Sequence, residues 1–260
     1  MTPVNETDPH IAFLPGPFLA DCCQHSAPID FETLSKQLQV FYGHLSTVNA
    51  HTNLIRLGDN PEETFWQRHV LDSLTLLPWL NGPEQASSLS CIDLGSGGGF
   101  PLIPLMLAMP QHEWYGVDAT AKKTAFLSES IQKLMQEVGI DGRCKIVHDR
   151  IESLGQDNTY RERFDRVTAR AVAPLNVLLE YAIPLLKPNG LLLAMKGLKA
   201  SEEIEQARNA LWVLNCVVET VQSYPPDSLL AGAVVVVIRK LGPTAKDYPR
   251  GVGIPSKSPL

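Results

Sequence analysis

From residue 90 onward, short apolar runs alternate with helix-length amphipathic stretches, and this alternation leaves the chain very few folds. The pattern predicts strand 90–94 and helix 101–109, strand 113–117 and helix 121–138 with Gly139 as its stop, then strand 144–148. Strand 164–169 precedes helix 174–186, Lys187-Pro188-Asn189-Gly190 turns into the strand Leu191 to Met195, and helix 201–211 and strands 213–221 and 233–239 complete the chain. Helices of this length between strands imply right-handed βαβ crossovers, hence an α/β, doubly wound, mostly parallel seven-stranded sheet. The last two strands, joined around Pro225-Pro226 without a helix, should pair antiparallel at one edge. Upstream the periodicity is helical. Phe31, Leu34, Leu38, Phe41 and Leu45 recur at three and four, and a second helix is expected from Asn60 as N-cap, with Pro61 and Glu62-Glu63 in its first turn, to about Trp79. The expected organisation is a variable tail over 1–28, a helical segment over 29–82 after which Asn81-Gly82-Pro83 forms a loop, and a Rossmann-like domain over 83–260 whose last twenty residues are basic.

Between the first strand and first helix of that sheet stands "DLGSGGGFP", residues 93–101. A loop at this place forms the floor of the crevice where open α/β sheets bind ligands, and glycines let the main chain approach a ligand closely. A dinucleotide fingerprint requires a third glycine where Phe100 stands, which disfavours a nicotinamide-dependent oxidoreductase. The pattern is instead D-x-G-x-G-G-G, with Asp93 two residues ahead of Gly95 and four ahead of Gly97. A carboxylate there gains nothing from a phosphate but suits a cation. S-adenosylmethionine, with its sulfonium and α-ammonium, fits: Asp93 would orient loop amides or receive the ammonium through water, and Asp118 at the end of the second strand would accept hydrogen bonds from a ribose diol. For Asp118, capping the helix before Ala121 is an equal alternative. This reading makes the domain a class I methyltransferase.

Composition narrows the classes further. The chain of 260 residues has a net charge of −6, which argues against indiscriminate nucleic-acid affinity and leaves room for local basic sites. Five cysteines, Cys22, Cys23, Cys91, Cys144 and Cys216, are never spaced C-x-x-C and read as buried thiols. Scattered histidines and the lack of G-x-S-x-G or H-E-x-x-H set aside metal and hydrolase chemistry, so no metal is expected. Residues 1–28 hold three acidic residues, several prolines and no Lys or Arg, as in a poorly ordered tail. No apolar run is long enough for a membrane span and no signal-peptide pattern opens the chain, so the cytosol is the expected compartment.

Several motifs taken together are more specific than the loop alone: "NLIR" (53–56), "RHVLDSL" (68–74), "DLGSGGGFPLIPL" (93–105), "DATAKKTAFL" (118–127), "RIE" (150–152), "ARAVAPL" (169–175), "AMKG" (194–197) and "YPRGVGIPSKSPL" (248–260). On these the chain, from about residue 30 to its end, resembles the RsmG (GidB) family of 16S ribosomal RNA methyltransferases. The resemblance implies methyl transfer from S-adenosylmethionine to N7 of one guanine in the 530 loop of 16S rRNA, with the small ribosomal subunit or an assembly intermediate as partner. It places cofactor contacts on Gly95, Phe100, Asp118, Ala119, Thr120, Ile151, Glu152 and Arg170. The acidic extension of about 28 residues is outside the family pattern. A non-catalytic RNA-binding or assembly factor on the same scaffold is the remaining alternative, and a monomer is expected.

Guanine N7 carries a free lone pair at neutral pH, so positioning rather than proton abstraction is the main task. Arg150, Arg170 and Lys196, at or just beyond strand ends, are the candidates for holding the base through its O6 edge. For Arg170 an ion pair with Asp93 or Glu152 is the competing role. Lys122, Lys123, Arg239, Lys240, Lys246, Arg250 and Lys257 are the candidate RNA contacts. Arg68, His69 and Asp72 share a helix face, where packing against the core is the simpler explanation.

Overall fold

The structure is a computed structural model that describes residues 29–80, 88–140 and 143–260. The tail expected over 1–28, with Cys22 and Cys23, and the loop read at Asn81-Gly82-Pro83 lie outside these. Seven strands form one sheet: β1 (Ser90–Leu94), β2 (Glu113–Asp118), β3 (Cys144–His148), β4 (Phe164–Arg170), β5 (Leu186–Lys196), β6 (Cys216–Ser223) and β7 (Val234–Lys240), in the spatial order β3-β2-β1-β4-β5-β7-β6. All neighbours are parallel except the two pairs made by β7, which inserts antiparallel between β5 and β6. The chain order reverses between β1 and β4, so the crevice of this doubly wound sheet opens above the carboxyl ends of those two strands.

Side chains alternate across the sheet and divide the core in two. Ile92, Leu94, Val167 and Ala169 face α6 (Ile151–Gln156), α7 (Leu175–Ala182), α8 (Ala200–Gln206) and α9 (Arg208–Val213). On the other face Cys91, Leu191, Leu193, Val235 and Val237 meet α4 (Leu102–Ala108) and α5 (Ala121–Val138), together with the N-terminal helices. Of the latter, α1 (Phe31–Thr52) begins at Asp30, whose carboxylate accepts the Glu32 and Thr33 amides at 3.1 Å, and buries the apolar stripe from Phe31 to Leu45. The segment 31–80 thus shares one apolar cluster with the sheet.

The second N-terminal helix departs from regular geometry. It opens as α2 (Pro61–Thr64), widens into π-helical turns over Phe65–Val70, where the Leu71 amide donates to the Trp66 carbonyl, and resumes as α3 (Leu71–Leu74) before a 3₁₀ turn at Leu77–Trp79. Asn60 does not cap with its side chain; its amide donates to Glu63 at 3.2 Å. Two further expectations are corrected in length: the helix read over 174–186 ends at Ala182 and passes into a 3₁₀ turn because Pro184 has no amide to continue it, and β6 starts at Cys216 rather than 213. Helix α6 and the short α10 (Ile254–Lys257) were not legible in the sequence pattern, being one to two turns long without a full apolar repeat.

Candidate active site

Glycines with positive φ shape the loop between β1 and α4: Gly95 at 66°, Gly97 at 49° and Gly99 at 96°. Its fastenings run to β2. The Ser96 amide donates to the Val117 carbonyl at 3.0 Å and the Gly97 amide to Asp118 Oδ2 at 3.1 Å, while Asp118 Oδ1 accepts from the Thr120 amide at 2.9 Å. Orienting a loop amide, one role expected of Asp93, therefore belongs to Asp118. The helix cap at that point is Thr120, so Asp118 closes the turn before the helix and steadies the loop with one carboxylate. A Cβ at Gly98 would come within 2.3 Å of Ile55 Cγ2, so the loop packs directly on the "NLIR" segment, which Asn49 pins through bonds of 3.1 and 3.0 Å to Ile55. The Phe100 ring turns away from the crevice into the core, 5.6 Å from Phe41 and 5.7 Å from Phe65. The ring anchors the loop, which leaves the cofactor contact expected of Phe100 to its main chain.

Asp93 lies opposite Thr168 in the β1–β4 register and is fully buried. Its Oδ1 accepts the Thr168 hydroxyl at 2.7 Å, whereas Oδ2 has no partner. Burial pushes this carboxyl up to about 7, against the lowering pull of the Thr168 and Ser96 hydrogen bonds and the Arg170 charge. Arg170 Nη1 is likewise buried and unpartnered. Two orphaned polar atoms of opposite character at the strand switch point are where a charged ligand group belongs.

Arg170 is held by the N-terminal segment rather than by Asp93 or Glu152. Its Nε stands 3.4 Å from Asp72 Oδ2, and Nη2 donates to the Arg68 carbonyl at 3.2 Å and to His69 Nδ1 at 2.7 Å. With Nδ1 accepting, His69 Nε2–H donates to the Arg56 carbonyl at 3.2 Å, which makes the ring the neutral tautomer. Burial, reinforced by the Arg170 charge, lowers His69 to about 4, and the ring stacks on Phe100 with centroids 4.9 Å apart. The "RHVLDSL" motif, read from sequence as packing, thus grips the arginine at the end of β4. Sequence spacing put His69 and Asp72 on one face; nothing in it disclosed their partner 98 or more positions away.

Two clefts flank Arg170. One, of about 570 Å³, is lined by Gly95, Asp118, Ala119, Thr120, Lys123, Arg150, Ile151, Glu152, Tyr181, Ser256 and Pro259. The other, of about 470 Å³, is lined by Asp72, Arg170, Met195, Lys196, Gly197 and Glu203. They share Ala171 to Pro174 as a ridge, and Ala171 holds the left-handed conformation, φ 54°, that bends the chain there. Residues Ala119, Thr120, Ile151 and Glu152 expected at the cofactor come together in the first cleft. At Gly97 a Cβ would make only ordinary contacts, with the Gly95 carbonyl at 3.5 Å and with Asp118 Oδ2 and Lys123 Nζ at 3.9 Å, three residues that line this cleft.

The cations divide sharply. Lys196 Nζ is committed to Glu203 and the Ala173 carbonyl, both at 2.7 Å, so it buttresses the ridge and is not free to grip a base, as was expected of it. Arg150 pairs with Glu152 at 3.2 Å and stays half exposed at the cleft mouth. Three expected RNA contacts are corrected. Lys240 is fully buried between Glu162 and the Leu186 carbonyl, at 2.7 and 2.8 Å; Arg239 is paired with Glu219 and bonded to the Asn189 carbonyl at 3.0 Å; Arg250 clasps the buried Glu180. In two of the three pairs a buried charge is balanced, Lys240 by Glu162 and Glu180 by Arg250, while the Arg239–Glu219 pair lies at the surface. Lys122, Lys246 and Lys257 are exposed, and Lys123 lies 3.8 Å from Asp118 Oδ2.

The family profile described as rRNA small subunit methyltransferase G (GidB) matches residues 34–229, which takes in the loop, the second cleft, the Arg170 cluster and all of the first cleft but Ser256 and Pro259. The chain belongs to this family. It is similar to ribosomal RNA small subunit methyltransferase G of Lactobacillus helveticus, 35% identical over 95% of this chain and 99% of that one, and to its namesake from Chloroflexus aggregans, 39% identical over 86% and 89%. Among solved structures, an O-methyltransferase from Bacillus cereus in complex with S-adenosylhomocysteine shares the fold, with a TM-score of 0.53 at 15% identity over 77% of this chain and 90% of that one. The fold is that of class I methyltransferases and the cofactor is S-adenosylmethionine, so the oxidoreductase alternative falls away. The donor set fits a sulfonium ligand: a glycine cradle, an orphaned buried carboxylate oxygen and a second acid, Asp118, with no phosphate-binding third glycine. Among the described residues no His, Cys, Asp and Glu cluster could hold a metal, and no helix is long and apolar enough to cross a membrane.

Proposed function

We propose that this protein methylates N7 of one guanine in the 530 loop of 16S rRNA, taking the small ribosomal subunit or an assembly intermediate as substrate and acting as a monomer. The observation that carries this reading is the pair of adjoining clefts, the one suited to the cofactor and the other edged by Arg170, which meet over the ridge Ala171–Pro174. When bound, S-adenosylmethionine supplies an electrophilic methyl on a positively charged sulfur. Gly95, Gly97, Asp118, Ala119, Thr120, Ile151 and Glu152 would hold it, with Asp93 and Arg170 offering their unpartnered atoms.

The acids and the imidazole at the second cleft support an acceptor that needs no deprotonation. Asp72 pairs with Arg170, Glu203 accepts from Lys196 and from the Leu175 amide at 2.8 Å, and both nitrogens of His69 are engaged. A guanine N7 lone pair asks for no general base, so acceleration comes from placing it in line, with Arg170 and Arg150 positioned to donate to O6. The base would be presented unpaired, as in an RNA loop.

The test is mass spectrometry of 16S rRNA from unmodified small subunits incubated with the protein and S-adenosylmethionine. One methyl group on a single guanine of the 530 loop, sensitive to N7-specific strand cleavage, is expected. A methyl group elsewhere overturns the assignment, and rRNA binding without any transfer turns the protein into an assembly factor.

A further inference from the structure

Residues 248–260 cross the outside of α6 and α7 and end beside the cofactor cleft, held by the buried carboxylates of Glu180 and Glu152. Glu180 on α7 is wholly buried, and it accepts the Arg250 amide at 2.8 Å and the Arg250 guanidinium at 2.6 and 2.9 Å. Glu152 on α6, only 2% exposed, accepts the Gly253 amide at 2.9 Å as well as Arg150. Arg161 donates to the carbonyls of Thr244, Ala245 and Tyr248 at 2.9, 3.0 and 2.7 Å, and Pro249 sits so tightly on α6 that a Cβ at Gly155 would lie 2.6 Å from it. Leu260 packs on the apolar cluster of that face. The result is that Ser256 and Pro259 line the same cleft as Gly95 and Tyr181, with the Ser256 hydroxyl donating to the Gly253 carbonyl at 3.1 Å.

We infer that the C-terminal strap, Arg250 to Leu260, is part of the cofactor site: it closes over the adenosine end of the ligand and governs how long the ligand stays. The inference rests on the reading that this cleft takes S-adenosylmethionine. The cleft has the chemistry a purine asks for, with apolar side chains at Pro259 and Ile151 and hydroxyls on Ser256 and Tyr181 in its lining. Its outer residues, Ser256 to Pro259, are exposed, while Arg250 and Gly253 fasten its base and its end is tethered by Leu260 and by the Ser258 carbonyl, which accepts from Arg250 at 2.8 Å. Glu152 then serves twice. It stands at the cleft and holds the strap down, which couples ligand contact to closure.

Amide hydrogen exchange on the full chain, with and without S-adenosylhomocysteine, tests this directly. The ligand should slow exchange at 253–258 along with Gly95–Gly99 and Asp118–Thr120. Protection of the loop and Asp118 with no change at 253–258 overturns the strap while leaving the cleft assignment standing; protection at none of them overturns both. A chain ending at Val252 keeps the Arg250–Glu180 clasp and should bind S-adenosylhomocysteine at least about tenfold more weakly by calorimetry, chiefly through faster dissociation. Unchanged affinity refutes the inference, and if the shortened chain fails to fold the exchange measurement on the whole protein decides.

Discussion

Asp93 shows how one residue can be costly to the fold and useful to the site. An unfolded chain ionises it near the ordinary carboxylate value of 3.8, the folded protein only near 7. Between those values the folded state holds the extra proton, so Asp93 subtracts stability as pH rises through that window, by at most about 4 kcal/mol above it. Asp93→Asn, a neutral mimic, should therefore melt at the wild-type temperature below pH 4 and progressively above it from pH 4 to 7, measured calorimetrically without ligand; a pH-independent difference contradicts the buried-proton account. Neighbouring glycines separate by role. At Gly98 a methyl group meets Ile55 at 2.3 Å, so Gly98→Ala should cost about 1–3 kcal/mol in urea unfolding. At Gly97 a methyl group would make only ordinary contacts, 3.5 Å or more, and φ is 49°, so Gly97→Ala should cost only about 1 kcal/mol of strain yet weaken S-adenosylhomocysteine binding the more of the two. Equal loss of affinity in both variants would argue against Gly97 as the ligand-facing glycine.

At the scale of elements, the fastenings between segments carry the predictions. The Arg250–Glu180 clasp is asymmetric, since the carboxylate is fully buried and the guanidinium side chain 26% exposed. Arg250→Met leaves a buried charge without a partner and should destabilise by about 3 kcal/mol, whereas Glu180→Gln leaves an arginine that can turn to water and should cost less. Chemical unfolding of both variants checks the order, and the reverse order would show that the clasp is not limited by the buried acid. The π-helical widening over Phe65–Val70 has a comparable logic. It rotates His69 onto Phe100 and toward Arg170 while Phe65, Trp66 and Val70 stay buried, which a regular helix with the same apolar set would not reconcile as readily.

Over the whole molecule, charge is the governing quantity. The net charge is −6, and of the cations expected on RNA Lys240 is buried while Arg239 and Arg250 are paired with Glu219 and Glu180. Affinity for the small subunit should therefore depend only weakly on salt, with a log–log slope no steeper than about −3, as for roughly four neutralised phosphates. Filter binding over a range of potassium chloride concentrations measures it, and a slope near −8 would mean that an extended basic surface exists.

Strand and helix alternation, the antiparallel end of the sheet, the acid-led glycine loop and the acid after β2 were legible in the sequence, because each depends on residues within about twenty positions of one another. Phe100, Lys196, Lys240 and Arg250 were not, because a residue's type tells what it can bind, whereas burial and partners decide what it does bind. Local propensity and periodicity determine elements and the turns between them. Only the folded sheet, bringing β1 beside β4, the N-terminal helices over Asp93 and the C-terminal strap against the cofactor cleft, could assign Arg170 to His69 and Asp72, since those contacts join segments a hundred residues apart through desolvation and charge pairing that exist in no single stretch of the chain.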